Sequence, residues 1–362
     1  MAILLIDIKY LQKGCIITKD VLGKTNHPIV KQSTIIDGDL LDVLHAFLVR
    51  EVSVANTLAD GTRFIPKEII KNEDNDSVVS VEISFHDAYL QAVEDYQKLF
   101  KYWQAGAHID VTAIRKIFVP LLERALKADK EIFTLYQYSS KDEYFYHHAI
   151  SVGLICGYLG KKLNFSKGDI VQVALAGCLS DAGMARVPLK ILEKPTPLTS
   201  EEFLEIKKHP MYGFSMLQKS STLKKDVILA ILQHHERLDG SGYPKGEKSS
   251  NIHMFSRILA VADVFHAMTC ERLHRKKQSS YKVIETIKQD EFGKYDLNVL
   301  NALMAGAVQL TIGTRAKLSN GLIGQVMYMN SRNPLRPLIR LEETDELIDL
   351  ERKRDIFIIE TY

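Results

Sequence analysis

From Phe85 onward, apolar residues return at every third or fourth position, as Phe85, Tyr89, Val93, Tyr96, Phe100 and Trp103 do. That interval lines one face of a helix, and a chain that sustains it has to bury the stripe against other helices. The pattern runs on to about residue 310, so most of the 362 residues are expected to form a helical bundle. Thr199 followed by Glu202 has the capping-box spacing for a helix expected to end near His209, where Pro210 would break it.

The flanks read differently. Short β-rich runs such as GCII at 14–17 and VSV at 52–54 alternate with Gly23, Gly38 and Gly61, which predicts a small α+β module. The run KNEDNDS at 71–77 has no apolar residue and reads as a linker or loop tip. In the tail, AKLSNGLIGQVMYM alternates around Asn320-Gly321, a pair that suits a type I′ hairpin, and RPLIRL and RDIFII supply further strands. The expected fold is mainly α: a helical bundle core with a small N-terminal α+β module and a C-terminal β-barrel-like domain. Its expected parts are the N-terminal module at 1–75, a helical connector at 76–130, the helical domain at 131–310 and the β domain at 311–362.

Composition narrows the function classes. Forty-seven basic residues against 45 acidic ones give a formal charge of +2, which provides no footprint for a nucleic-acid groove or an anionic membrane. Any phosphate ligand must then be held locally. No stretch approaches the ~20 apolar residues of a membrane span, and the four scattered cysteines disfavour both a zinc knuckle and a disulfide framework. A cytoplasmic protein is the expectation.

Chemistry concentrates in a few polar residues on otherwise apolar helices. His234 and His235 close the helix DVILAILQHH and run into ERLDGSGYP. Neighbours on a helix point ~100° apart, so the two rings suit two adjacent metals, or one metal and a ligand. An incidental pair before a surface turn is the plainer alternative. Gly240 and Gly242 let the following loop turn sharply and come close to a substrate. Asp263 lies in the apolar run RILAVADVFHAM, where a carboxylate needs a cation, a raised pKa or a salt bridge, with Arg257 or Arg272 as partners for the last. His266 follows on the same helical face. His148 and Asp181 sit in similarly apolar segments and, taken singly, read equally well as satisfied core polar groups. His209 could serve a helix C-terminus.

The eleven-residue run HHERLDGSGYP closely resembles the signature of the HD-GYP proteins, cyclic di-GMP phosphodiesterases of the HD superfamily found in bacteria. The resemblance covers about residues 130 to 305, through SDAGMARVPLKILEKPTPLTSEEFLEIKKHPMYGFSML and RILAVADVFHAMTCERL. It implies a metal site of His148, Asp181, His209, His234, His235 and Asp263, with His147 as an alternative to His148. Asp181 would be the catalytic carboxylate that bridges two ions. It also implies one or two ions of iron or manganese, with zinc as an option. The substrate would be cyclic di-GMP or a related dinucleotide, held by Arg272, Arg275 and the loop residues Gly242, Tyr243 and Pro244.

The match departs from the family at four positions. Ser180 replaces the histidine of the HD pair, Met184 a lysine, His266 an aspartate, and Tyr144 an acidic residue, with Glu143 one position out of phase. A hydroxyl is a poor ligand for a transition metal and a thioether donates no proton, while His266 is a candidate compensating ligand. The reading preferred from sequence is a nucleotide-binding or interaction protein with weak or no turnover, which senses the dinucleotide or presents the GYP loop to a signalling partner. The other is an active metal-dependent phosphodiesterase. Neither a nucleic-acid nor a membrane partner is expected, and a homodimer is compatible with the sequence.

Overall fold

The computed structural model describes residues 3–22, 28–47, 49–64, 66, 84–128, 131–139, 143–271, 278–289, 292–331 and 333–362. The charged run at 71–77, and Arg272 and Arg275 with it, lie outside the described residues. The chain divides into two compact units, Met1–Ser84 and Phe85–Tyr362.

In the first unit, strands β1 (Ile3–Asp7), β2 (Cys15–Ile17), β3 (Val21–Leu22) and β4 (Pro28–Val30) precede helix α1 (Gly38–Ala46) and strand β5 (Glu51–Leu58). The long strand β5 is central, in the antiparallel order β1-β5-β2, with Ile6 opposite Val52 and Leu4 opposite Val54. One face of the sheet buries Ile6, Ile17 and Val54 with Leu44 of α1. The helix starts where it does because the Asp37 carboxylate accepts from Leu40 N at 2.8 Å.

The second unit opens with α2 (Phe85–Gln104) and α3 (Val111–Ala125), then α4 (Tyr144–Lys162) and α5 (Lys167–Leu179). The stripe of α2 is buried as its spacing predicts, with Tyr89, Tyr96, Phe100 and Trp103 in the core. Helix α4 packs on α2, α5 and the later helix α10 (Met254–Thr269), which explains why it is apolar on nearly every side. Between α5 and α10 come α6 (Leu189–Leu192), α7 (Ser200–Ile206), α8 (His209–Leu217) and α9 (Lys225–Gln233). Helices α11 (Ser280–Gln289) and α12 (Leu297–Ala307) complete the helical part. All four cysteines are buried.

Two local expectations are corrected. The Thr199–Glu202 capping box does open α7, but that helix ends at Ile206, and His209 and Pro210 begin α8. A proline in the first turn forfeits no helical hydrogen bond, so here it starts a helix where it had been read as ending one. At the hairpin, the Leu318 amide donates to Leu322 O at 2.8 Å across a three-residue loop. Gly321 has φ +88°, whereas Asn320 does not adopt positive φ and instead accepts from Leu322 N through its side chain. The loop is one residue too long for type I′, and a single left-handed glycine closes it.

The tail forms β6 (Arg315–Leu318), β7 (Ile323–Tyr328), β8 (Leu338–Leu341), β9 (Leu347–Asp349) and β10 (Ile358–Thr361). They make one antiparallel sheet in the order β10-β6-β7-β8-β9, and among the described residues its outer strands do not pair. The expected barrel is thus an open sheet. It is tied to α11 by the buried guanidinium of Arg336, which donates to the Glu285 carboxylate and to the carbonyls of Leu350, Arg354 and Ile356. A buried ion pair holds only when the remaining donors are satisfied in this way.

Candidate metal centre

The polar residues singled out on apolar helices converge in the second unit. His148 projects from α4, Asp181 follows the C-terminus of α5, and His209 is the first residue of α8. His234 caps the end of α9, His235 lies just past it, and Asp263 comes from α10. His148, His209 and His234 are buried.

Asp181 sits in the middle. Its Oδ1 lies 3.1 Å from His209 Nε2 and 3.6 Å from His234 Nε2, and its Oδ2 lies 3.7 Å from His148 Nε2. Asp263 closes the other side, with Oδ1 3.1 Å from His148 Nε2 and Oδ2 3.7 Å from His235 Nδ1. One ligand atom from each of Asp181, His209, His234 and His235 falls within a 4.8 Å cluster. The expectation that adjacent histidines point apart assumes a helix running through both, and α9 ends at Gln233 with His234 as its cap. Their rings lie 4.1 Å apart, centroid to centroid.

The tautomers of two histidines are set by the main chain. Nδ1 of His209 lies 2.7 Å from Ile206 O, and Nδ1 of His234 lies 2.7 Å from Ile231 O. A carbonyl only accepts, so each Nδ1 must carry the proton and each neutral ring presents a lone pair at Nε2. Those two Nε2 atoms face each other at 3.1 Å beside a carboxylate oxygen. Such converging nitrogens call for positive charge, either a proton on one ring, which then donates to Asp181, or a metal ion, and an imidazole that donates its far N–H to a backbone carbonyl is the arrangement seen around bound metals. The residues present therefore fit a metal ion.

The surroundings set the charges. Burial opposes ionisation of Asp181, but hydrogen bonds from His209 and His234 outweigh it and hold the carboxyl well below its ordinary range. Asp263 is likewise lowered against its burial, by His148 and His235. Burial lowers His209, yet the hydrogen bond and charge of Asp181 prevail and raise it. His235 goes the other way, since burial and the neighbouring His234 push it well below the ordinary imidazole value.

The departures from the family pattern have definite positions. The Ser180 hydroxyl donates back to Gly177 O at 2.8 Å, closing the last turn of α5. Met184 lines the open side of the site. His266 Nδ1 lies 3.0 Å from Nδ1 of His148, behind the ring and on the side away from Asp181 and Asp263. Tyr144 OH meets the same nitrogen at 2.9 Å. His147 turns elsewhere and pairs with Tyr89 OH at 2.9 Å. Arg257 is not the partner of Asp263, because it pairs with Asp296 at 3.1 Å.

The GYP loop forms one wall. Tyr243 stacks on His235 with centroids 4.6 Å apart, and its amide donates to His235 O at 3.1 Å. A Cβ at Gly242 would strike the main chain of 235–237, so only glycine permits that approach. The buried Glu236 carboxylate accepts from Lys245 N at 2.7 Å and Glu247 N at 3.0 Å, which fixes the loop from inside. Gly183 plays a matching part below the site: a Cβ there would strike the His209 carbonyl and the Gly213 amide, so the turn after Asp181 and α8 meet backbone to backbone.

A cleft of about 730 Å³ opens above these residues, lined by His148, Asp181, His209, His235, Tyr243 and Asp263, with Met184 and Phe203. Lys207, Arg237 and Lys294 line it too, and the sequence reading did not select them. Lys207 Nζ sits over the Tyr243 ring at 5.1 Å, and the Arg237 guanidinium over Tyr295 at 4.8 Å. Arg237 lay inside the recognised HHER run and Lys207 two residues before His209. Lys294 comes from a loop with no periodicity to mark it.

The family model described as "HD domain" matches residues 134–299. Cyclic di-GMP phosphodiesterase PA4108 of Pseudomonas aeruginosa is 29% identical over 243 residues, 67% of this chain and 58% of that protein. 3'3'-cGAMP-specific phosphodiesterase 1 of Vibrio cholerae is 32% identical over 172 residues, 47% of this chain and 39% of that protein. The chain thus spans about half the length of the curated relatives it matches. Among solved structures, Bd1817, an HDG"Y"P protein from Bdellovibrio bacteriovorus, has a TM-score of 0.44 at 16% identity over 83% of this chain and 98% of that one. No helix among the described residues is long and apolar enough to cross a membrane.

Proposed function

With residues 134–299 an HD domain of the HD-GYP kind as premise, we propose that the chain works in cyclic-dinucleotide signalling as a binding or regulatory protein with weak or absent turnover. One observation carries this reading. The cleft that gathers His148, Asp181, His209, His235 and Asp263 has the thioether of Met184 in its lining, and the residue before Asp181 is a serine bonded to its own helix.

The metal would be held from among His148, Asp181, His209, His234, His235 and Asp263, with iron, manganese or zinc matched to their imidazole and carboxylate donors. Bound there, a divalent ion supplies charge neutralisation at phosphorus and a more acidic water. The chain's own groups do the positioning. Tyr243 and the glycine-backed main chain at 242 wall the cleft, and Lys207, Arg237 and Lys294 place positive charge where the two phosphates of a cyclic dinucleotide would lie. Arg272 and Arg275 are proposed as further phosphate-binding residues. Met184 cannot protonate a departing alkoxide, so position 184 supplies no general acid for the step that frees the leaving oxygen. Relatives named for cyclic di-GMP and for 3'3'-cGAMP support the dinucleotide class.

The second reading, an active metal-dependent cyclic di-GMP phosphodiesterase, is favoured by the converged nitrogens of His209 and His234 around Asp181. Incubating the purified chain with Mn²⁺ and cyclic di-GMP, with calorimetry for binding and chromatography for the linear product, separates the two. Binding without product is expected, and a Ser180→His, Met184→Lys double variant should gain turnover by ~100-fold or more. A natural chain that already cleaves as fast as the double variant would reject the binding reading in favour of the enzyme.

A further inference from the structure

The two halves of the cluster do not need a cation equally. On the His209 and His234 side both rings have spent their only N–H on a main-chain carbonyl, so two lone pairs and the Asp181 Oδ1 are left facing one another. No choice of neutral tautomer relieves that arrangement, which needs added positive charge, either a proton on one ring or a metal ion. On the His148 side a tautomer is enough. With the proton on Nε2, His148 donates to Asp263 Oδ1 at 3.1 Å and offers Nδ1 to the Tyr144 hydroxyl at 2.9 Å. The remaining donor that a second ion would use falls at residue 180, where the hydroxyl is bonded to Gly177 O. His266 does not fill that gap, because its nitrogen faces the rear of the His148 ring.

Resting on the metal-centre reading above, we propose that this chain takes up one divalent transition ion and not two, held by Asp181, His209, His234 and His235. His148 and Asp263 form a hydrogen-bonded pair that completes the wall of the cleft without binding an ion of their own. The missing histidine at 180 therefore empties one half of the centre and leaves the other intact.

The test uses the full chain stripped with a chelator and titrated with Mn²⁺ alone. Calorimetry should return a stoichiometry of one, and the electron paramagnetic resonance signal should be that of isolated Mn²⁺ without the exchange coupling of a pair. His209→Ala should weaken binding by ~10-fold or more, whereas His148→Ala should keep a stoichiometry of one with a change below ~10-fold. Circular dichroism establishes that each variant is folded. Because a buried histidine can be needed for folding, Ser180→His provides the gain-of-function arm and should raise the stoichiometry to two. Two ions on the natural chain, or an ion lost in His148→Ala and retained in His209→Ala, would overturn the one-ion proposal while leaving the metal centre standing. A chain that binds no Mn²⁺ would overturn both.

Discussion

The two oxygens of Asp181 look toward imidazoles held by different means. On the Oδ1 side, His209 and His234 are oriented by carbonyls of their own chain, three residues upstream in each case. On the Oδ2 side, His148 is oriented by the side chains of Tyr144 and His266. Main-chain acceptors cannot be removed by substitution, while side-chain partners can be exchanged one at a time. Two of the four departures from the pattern that the chain resembles, Tyr144 and His266, stand on this side-chain-supported flank.

The most damaging test of this contrast is Asp181→Asn, because one charge serves both flanks. Removing it should weaken Mn²⁺ binding by ~100-fold in calorimetry; a loss under tenfold would mean that the carboxylate does not join the halves. A smaller effect is expected from pH in the metal-free chain. His209 is raised, so its contribution to stability is complete below the ordinary imidazole value of 6.5 and is lost as pH climbs through its folded value. Asp181 is depressed, so its contribution is present above 3.8 and is lost as pH falls through its folded value. Thermal melts in chelator should therefore show declining stability above neutrality, flattened in His209→Gln, and Mn²⁺ should reverse the slope because the proton must leave for the ion. A slope that is the same in the variant would remove the Oδ1 flank from the explanation. The mildest change is Tyr144→Phe. It should shift the ring-nitrogen resonances of His148 and leave those of His209 and His234 in place, with Mn²⁺ affinity altered less than ~3-fold. Matching shifts at all three would erase the distinction between the flanks.

Much of this was legible in the residues. The stripe from Phe85 to Trp103 specified a buried helix, and the polar residues on apolar helices named the side chains that the fold gathers. What failed was local. Pro210 was read as a stop because a proline ends one helix or starts the next according to a single position of register, and only packing decides which. His234 and His235 were assigned diverging directions on the assumption that the helix continued through them, and it stops one residue earlier. Lys207, Arg237 and Lys294 reach one cleft from three separate segments, and no spacing along the chain encodes that meeting. The role of Ser180 was legible as a loss, but not the bond to Gly177 that turns its hydroxyl away.

The bare glycines where the turn after Asp181 abuts α8 make the gap between acid and imidazole a matter of main-chain thickness. Side chains around the cleft can be exchanged without altering that gap. A seat of this kind keeps acid and imidazole in step while the residues lining the cleft are free to vary.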